Sequence, residues 1–354
     1  MQRGRLEEII SKIPQTKVAV LGDFFLDLYI QLDRSLSEFS LETHKEAFQA
    51  VNLRGQPGTA GVVINNLTAL GAQSAAIAYI GNDGNGYTLK KALEAQNTNT
   101  LYLIETSERF TPTYTKPMMQ EVDGSNIELN RIDIINRSPN SSTLNQALAD
   151  YVRKAIQTYD GILVVEQVKQ DGFGTMSPLL RRVLTELAGS YPQKTIMVDS
   201  RHFASEYHQV SLKMNLSEAV KACKTLGPQF SSLDKEYPID TAKLCAEAFW
   251  KANRQPVFIT LSELGIAGMA EGNFFYHPGF QIKGPIDIVG AGDSVLAGIG
   301  LAMCLGASAQ EAAYIGNLVG SITVQQIGTT GIATRDELRK RHKEYQQQME
   351  NRNQ

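Results

Sequence analysis

Short apolar runs with no polar face constrain this chain most. Val18-Ala19-Val20-Leu21 leads into Gly22 and Asp23, and similar runs recur at 75–80, 161–165, 195–198 and 257–260. A strand solvated on one side alternates apolar with polar residues, whereas one covered on both sides is apolar throughout. Between the runs lie stretches with helical spacing at 61–71, 84–95, 142–157, 177–189, 215–225 and 240–253. Ahead of them, residues 5–13 carry Leu6, Ile9, Ile10 and Ile13 on one helical face. This alternation predicts an α/β fold with a doubly wound, mainly parallel sheet covered by helices on both faces.

Two segments break the pattern. Residues 28–56 and 99–135 alternate apolar and polar residues, as in Leu101-Tyr102-Leu103-Ile104 and Thr113-Tyr114-Thr115. They predict antiparallel strands exposed on one face, forming a small β-lid over the carboxyl ends of the sheet. The polar stretch 340–354 is expected to be a solvated helix end or disordered.

With 42% hydrophobic and 20% charged residues, the chain can bury a substantial core. A net charge of -3 argues against a nucleic-acid partner. Cys223, Cys245 and Cys304 form no CxxC pair, and the five histidines include no HExxH, so free thiols in a reducing compartment are expected. The N-terminus shows no signal-peptide core, and the apolar stretch at 295–305 is too short for a bilayer. A cytoplasmic protein with no membrane association is the expectation.

The chemistry concentrates at Ile286-Asp287-Ile288-Val289-Gly290-Ala291-Gly292-Asp293-Ser294, just before an apolar helical run. Two glycines let the backbone approach a ligand, and the N–H groups of the new helix face an anion. A carboxylate beside such an anion hole is what phosphoryl transfer to a hydroxyl requires. The alternative is a tight turn in which Asp293 merely caps the helix.

In this segment the sequence resembles the ribokinase-like (PfkB) carbohydrate kinases, whose late signature D-T-x-G-A-G-D precedes a helix. Gly22–Asp27, Pro112–Lys116, Arg131-Ile132-Asp133, Asn215–Glu218 and Thr260–Gly265 support it by their order and spacing over about 17–335. Within the family these segments look most like the heptose-phosphate kinase domain. The resemblance implies a single kinase domain over 1–354, using ATP and Mg²⁺ with a monovalent cation as a further candidate.

Residue by residue, the resemblance makes Asp293 the base and Gly290, Ala291 and Gly292 the anion hole. Asn215 and Glu218 match an N-x-x-E that helps place Mg²⁺ through water; they equally fit a helix N-terminus. Asp27 matches a residue that grips sugar hydroxyls, with Gly58 and Thr59 beside it. Lys116 and Arg131 suit a phosphate already on the substrate or a solvated lid surface. Thr260, Ser262, Gly265, Asp287, Asn317 and Gly328 would follow the nucleotide. Pairing of two lids implies a homodimer.

Departures touch the substrate side. The family's early P-G-G-A-A-N-V appears as Pro57-Gly58-Thr59-Ala60-Gly61-Val62-Val63, which puts Val62 where an amide is expected. Ile288 and Val289 replace hydroxyl-bearing residues, and no HxGH nucleotidyltransferase signature occurs. The pattern therefore implies retained phosphoryl chemistry with an altered sugar pocket. A non-catalytic sugar- or nucleotide-binding regulator and a nucleoside kinase are the alternatives on the same fold. A dinucleotide-binding dehydrogenase fits poorly, because Gly81-Asn82-Asp83-Gly84-Asn85-Gly86 lacks the required glycine spacing.

Overall fold

The computed structural model describes residues 1–230, 233 and 236–352. Its strands begin with β1 (Lys17–Gly22), β2 (Phe24–Phe39), β3 (Glu46–Thr59), β4 (Gln73–Gly81) and β5 (Asn99–Thr106). They continue with β6 (Thr113–Gln120), β7 (Asn126–Glu128), β8 (Ile132–Ile134), β9 (Gly161–Glu166) and β10 (Thr195–Ser200). The last are β11 (Ser211–Asn215), β12 (Val257–Thr260), β13 (Gly265–Ala270) and β14 (Asn273–Pro278). The helices begin with α1 (Arg3–Lys12), α2 (Ala60–Leu70), α3 (Gly84–Ala95), α4 (Ser142–Thr158) and α5 (Pro178–Ser190). They end with α6 (Leu216–Leu226), α7 (Pro238–Asn253), α8 (Ala291–Cys304), α9 (Ala309–Thr323) and α10 (Arg335–Arg352).

Among the described residues, nine strands form the main sheet in the order β14-β13-β12-β11-β10-β9-β1-β4-β5. Pairing is parallel from β12 to β5, and β13 and β14 add an antiparallel hairpin at one edge. The two-residue alternation of a strand sorts β1 cleanly. Val18 and Val20 enter a core shared with α1, α2, α3, α8, α9 and α10, while Ala19 and Leu21 enter one shared with α4, α5, α6 and α7. Both faces are covered, which is why the strand reads as uniformly apolar. Helix starts are set by local polar chemistry. Asp83, Ser141, Ser177 and Ser308 accept from backbone N–H groups of α3, α4, α5 and α9.

The second sheet runs β3-β2-β6-β7, with β8 also on β6. It is antiparallel except for the parallel pair β2/β6. One expectation needs correction and another is met only in part. Residues 99–106 do not belong to the lid: β5 is the parallel edge strand of the main sheet, beside β4. An edge strand solvated on one face alternates as a lid strand does, so the periodicity reported one-sided burial and not sheet membership. The polar stretch 340–354 continues α10 as far as residue 352, and residues 353–354 lie outside the described set. Its His342 and Tyr345 are buried against Tyr314 and Phe280, with Tyr314 Oη 2.6 Å from His342 Nδ1.

Candidate active site

The bend into α8 is made by Gly290 at φ +74°, a left-handed conformation that a side chain would strain. A Cβ there would also come 3.1 Å from Val62 Cγ1 and 3.2 Å from Thr330 Cγ2. Val62 is therefore buried against this turn. Ala291 N–H donates to Ile288 O at 3.1 Å and Ser294 N–H to Gly290 O at 2.9 Å. Among the described residues, that leaves the N–H groups of Gly292 and Asp293 without a carbonyl partner, as expected in a first helical turn. Of the expected anion-hole positions, Ala291 thus has its donor engaged, and Asp293 contributes one of its own.

Asp293 retains some accessible surface, yet protein surrounds its carboxyl group. Burial raises its pKa to about 7, with repulsion from Asp199 next, while Lys213 and Arg201 pull it down. Gln167 Nε2 donates to Asp293 Oδ1 at 3.4 Å. Burial and Asp199 also raise Glu218. Asp199 at the end of β10 and Glu218 just beyond β11 therefore crowd negative charge around the start of α8, balanced by Lys213 and Arg201. None of Gln167, Asp199, Arg201 and Lys213 was singled out from sequence, because sheet register rather than a local motif assembles them.

Asn215 and Glu218 form a reciprocal capping box at the start of α6. Asn215 Oδ1 accepts from Glu218 N at 2.9 Å, and Glu218 Oε2 accepts from Asn215 N at 2.8 Å. The helix-cap reading therefore holds, and Glu218 Oε1 is the oxygen outside the box. Among the described residues no cluster of three or more His, Cys, Asp or Glu side chains could hold a metal. This donor set suits Mg²⁺ in its usual manner, bound mainly by phosphate oxygens and water with one or two carboxylates.

The positions expected on the nucleotide side follow the next strands. Thr260 stands opposite Asn215 in the β11/β12 register. Ser262 turns the chain at φ +54°. Asn317 Nδ2 donates to His277 O at 3.1 Å, the carbonyl that a Cβ on Gly265 would approach to 2.2 Å. Asp287 closes a separate loop, accepting from Val289 N and Gly328 N at 3.0 Å each.

The positions expected on the sugar side meet where β2 leaves the main sheet. Lys116 Nζ lies 3.1 Å from Asp27 Oδ1 with both side chains largely buried. Burial works against the ammonium, but Asp27 and Tyr29 more than offset it, so Lys116 is held charged. Gly58 leaves room for this pair, since a Cβ there would lie 2.8 Å from Asp27 Oδ2. Thr59 adopts φ +50°, a conformation that favours glycine, although a threonine occupies it. Its hydroxyl compensates by donating to the Asp23 carbonyl and accepting from Phe25 N. Arg131 lies further out, paired with Asp133 at 2.7 Å and stacked 4.3 Å over the Tyr114 ring.

One further residue escaped the sequence reading. Asn66 on α2 is fully buried, and its amide donates to Val62 O, Ser294 Oγ and Gly331 O while accepting from Ala333 N. It ties α2, α8 and the turn after Gly328 into one unit.

A two-sheet α/β fold whose glycine turn sets a carboxylate at a helix N-terminus is the architecture of a sugar kinase. Residues 15–335 match the profile described as pfkB family carbohydrate kinase, and the chain belongs to that family. It is 25% identical over 339 residues to the bifunctional protein HldE of Citrifermentans bemidjiense, covering 95% of this chain and 65% of that one. It is 28% identical to HldE of Trichlorobacter lovleyi, with coverage of 94% and 64%. The chain thus spans slightly under two thirds of these relatives. Among solved structures it resembles ribokinase from Cryptococcus neoformans in complex with ADP (TM-score 0.63, 19% identity, 92% and 99% coverage). Phosphofructokinase-2 from Escherichia coli is similar in the same way (TM-score 0.67, 16% identity, 92% and 97% coverage). Among the described residues no helix is long and apolar enough to cross a membrane.

Proposed function

We propose that this kinase transfers the γ-phosphoryl group of ATP to a hydroxyl of a sugar or sugar phosphate, with Asp293 as the base. The observation that carries this is Asp293 itself, a partly accessible residue whose carboxyl has a pKa of about 7 in the first turn of α8, beside unpaired N–H donors. A base tuned near the working pH combines a useful ionised fraction with real proton affinity. Asp27 holds sugar hydroxyls, and Gln167 keeps the Asp293 carboxyl oriented. The N–H groups of Gly292 and Asp293 face the charge on the phosphoryl group. Glu218 would hold Mg²⁺ through water, and the ion would supply neutralisation of the phosphate oxygens. Thr260, Ser262, Gly265, Asn317 and Gly328 border the nucleotide.

Lys116, Arg131 and nearby Arg54, stacked 4.4 Å over Tyr29, favour a sugar that already bears a phosphate. ADP release from Mg-ATP across sugars, sugar phosphates and nucleosides tests this. We expect turnover on a sugar phosphate; turnover confined to nucleosides, or none while ATP still binds, would overturn it.

The lid also exposes Phe39, Leu41, Val51, Leu53, Ile127 and Ile132. So much apolar surface on one sheet favours burial against a second lid. A homodimer is the expected state, and sedimentation as a monomer at micromolar concentration would count against it.

A further inference from the structure

The main sheet places a buried ion pair beneath the first turn of α8. Asp199 on β10 and Lys213 on β11 stand opposite each other in register, with Nζ 2.5 Å from Asp199 Oδ2. The lysine side chain is 3% exposed. Buried pairs of this kind contribute little stability beyond apolar residues of similar volume, so the fold does not explain it. Its position does. Nζ lies 3.2 Å from where a Cβ on Gly292 would stand, so the ammonium rests against the backbone whose N–H donors face the cleft. A Cβ on Gly292 would press on it, requiring the ammonium to give by a few tenths of an ångström. Among the described residues the hydrogen bond to Asp199 is the one Lys213 makes, although an ammonium carries three donors.

We propose that Lys213 is a catalytic cation that donates to an oxygen of the γ-phosphoryl group, and that Asp199 is the positioning residue that holds it there. The inference rests on the kinase reading above. In the transfer, the acceptor oxygen bonds to the γ-phosphorus and its proton passes to Asp293. The bond from the γ-phosphorus to the β–γ bridging oxygen breaks, and ADP leaves with that electron pair. Lys213 stays protonated throughout and gives up nothing. Its charge is needed because the incoming phosphoryl group joins Asp199, Glu218 and Asp293 in the same small volume. On the protein side, the cations that act on Asp293 are Lys213 and Arg201.

The test needs no acceptor and no turnover. Calorimetric titration with Mg-ATP and Mg-ADP compares the wild type with the double variant Asp199→Asn/Lys213→Met, which removes both charges at similar volume. The wild type is expected to prefer ATP. The double variant should lose at least about tenfold of that preference, as loss of a charged hydrogen bond implies, with ADP affinity nearly unchanged. Asp199→Asn alone keeps the ammonium and gives a second reading should the double variant not fold; its preference should drop about threefold. A wild type indifferent to the γ-phosphate, or variants that keep the full preference, overturns the role of Lys213. A wild type that binds neither nucleotide overturns the kinase reading itself.

Discussion

Asp293→Asn is expected to lower kcat by about three orders of magnitude while leaving ATP binding within a few-fold of wild type, the scale of a lost general base. The amide preserves the shape of the carboxylate and can keep its contact with Gln167, but it cannot take a proton from the acceptor. The wild-type profile supplies a second check. Because burial and Asp199 raise the carboxyl pKa to about 7, kcat/KM should climb with pH along a limb centred near that value, and the limb should vanish in the variant. The linkage to stability has a definite sign. A folded-state pKa above the unfolded value stabilises the protein at low pH, and this contribution is lost as pH rises from about 4 through 7. The asparagine variant should therefore be at least as stable as wild type at pH 8, by thermal melting. Residual activity above about a tenth of wild type would move the base to another carboxylate, with Glu218 and Asp199 nearest in effect.

The same carboxylate shows which parts of the site a sequence can reveal. Gly290, Gly292 and Asp293 are legible because their chemistry is local: a left-handed glycine, a helix start and an acid within four residues. Their partners are not. Asp199 meets Lys213 through the β10/β11 register and Gln167 reaches Asp293 across 126 residues of chain, so no spacing announces either contact. The fold followed a similar division. Strands covered on both faces stood out as uninterrupted apolar runs, which located β1, β4, β9, β10 and β12. Strand β5 did not, because one-sided burial gives the same alternation in either sheet. In α10 the buried His342 and Tyr345 sit among Lys, Glu and Gln, too few apolar positions to raise a helical period above the polar background. The capping box at Asn215 and Glu218 shows a third case, in which sequence identified the geometry correctly but left its use open.

Asn66→Leu is expected to destabilise the protein by about 3 kcal/mol and to impair the sugar and nucleotide sides together. The side chains share a branching pattern but leucine is the larger, so in this fully buried place the loss of hydrogen bonds is joined by some overpacking. Asn66 Nδ2 donates to Val62 O at 3.1 Å, Ser294 Oγ at 3.0 Å and Gly331 O at 3.2 Å, and Oδ1 accepts from Ala333 N at 3.2 Å. Ser294 keeps a bond to Gly290 O at 2.9 Å, but the buried Ala333 N–H would lose its partner and Gly331 O would keep only a long contact to Ser294. An orphaned buried donor costs more than an average hydrogen bond contributes. The functional effect follows from what the amide joins. Helix α2 follows Gly58 and Thr59 beside Asp27, α8 follows the Gly290 bend, and Gly328 anchors Asp287 just before Gly331. Loosening that junction should raise KM for both substrates and lower kcat about tenfold. Urea unfolding should show a lower midpoint at unchanged m-value, the signature of lost native stability. If the midpoint falls while both KM values stay fixed, Asn66 serves the fold alone, and the sugar and phosphate sides of the site are positioned independently.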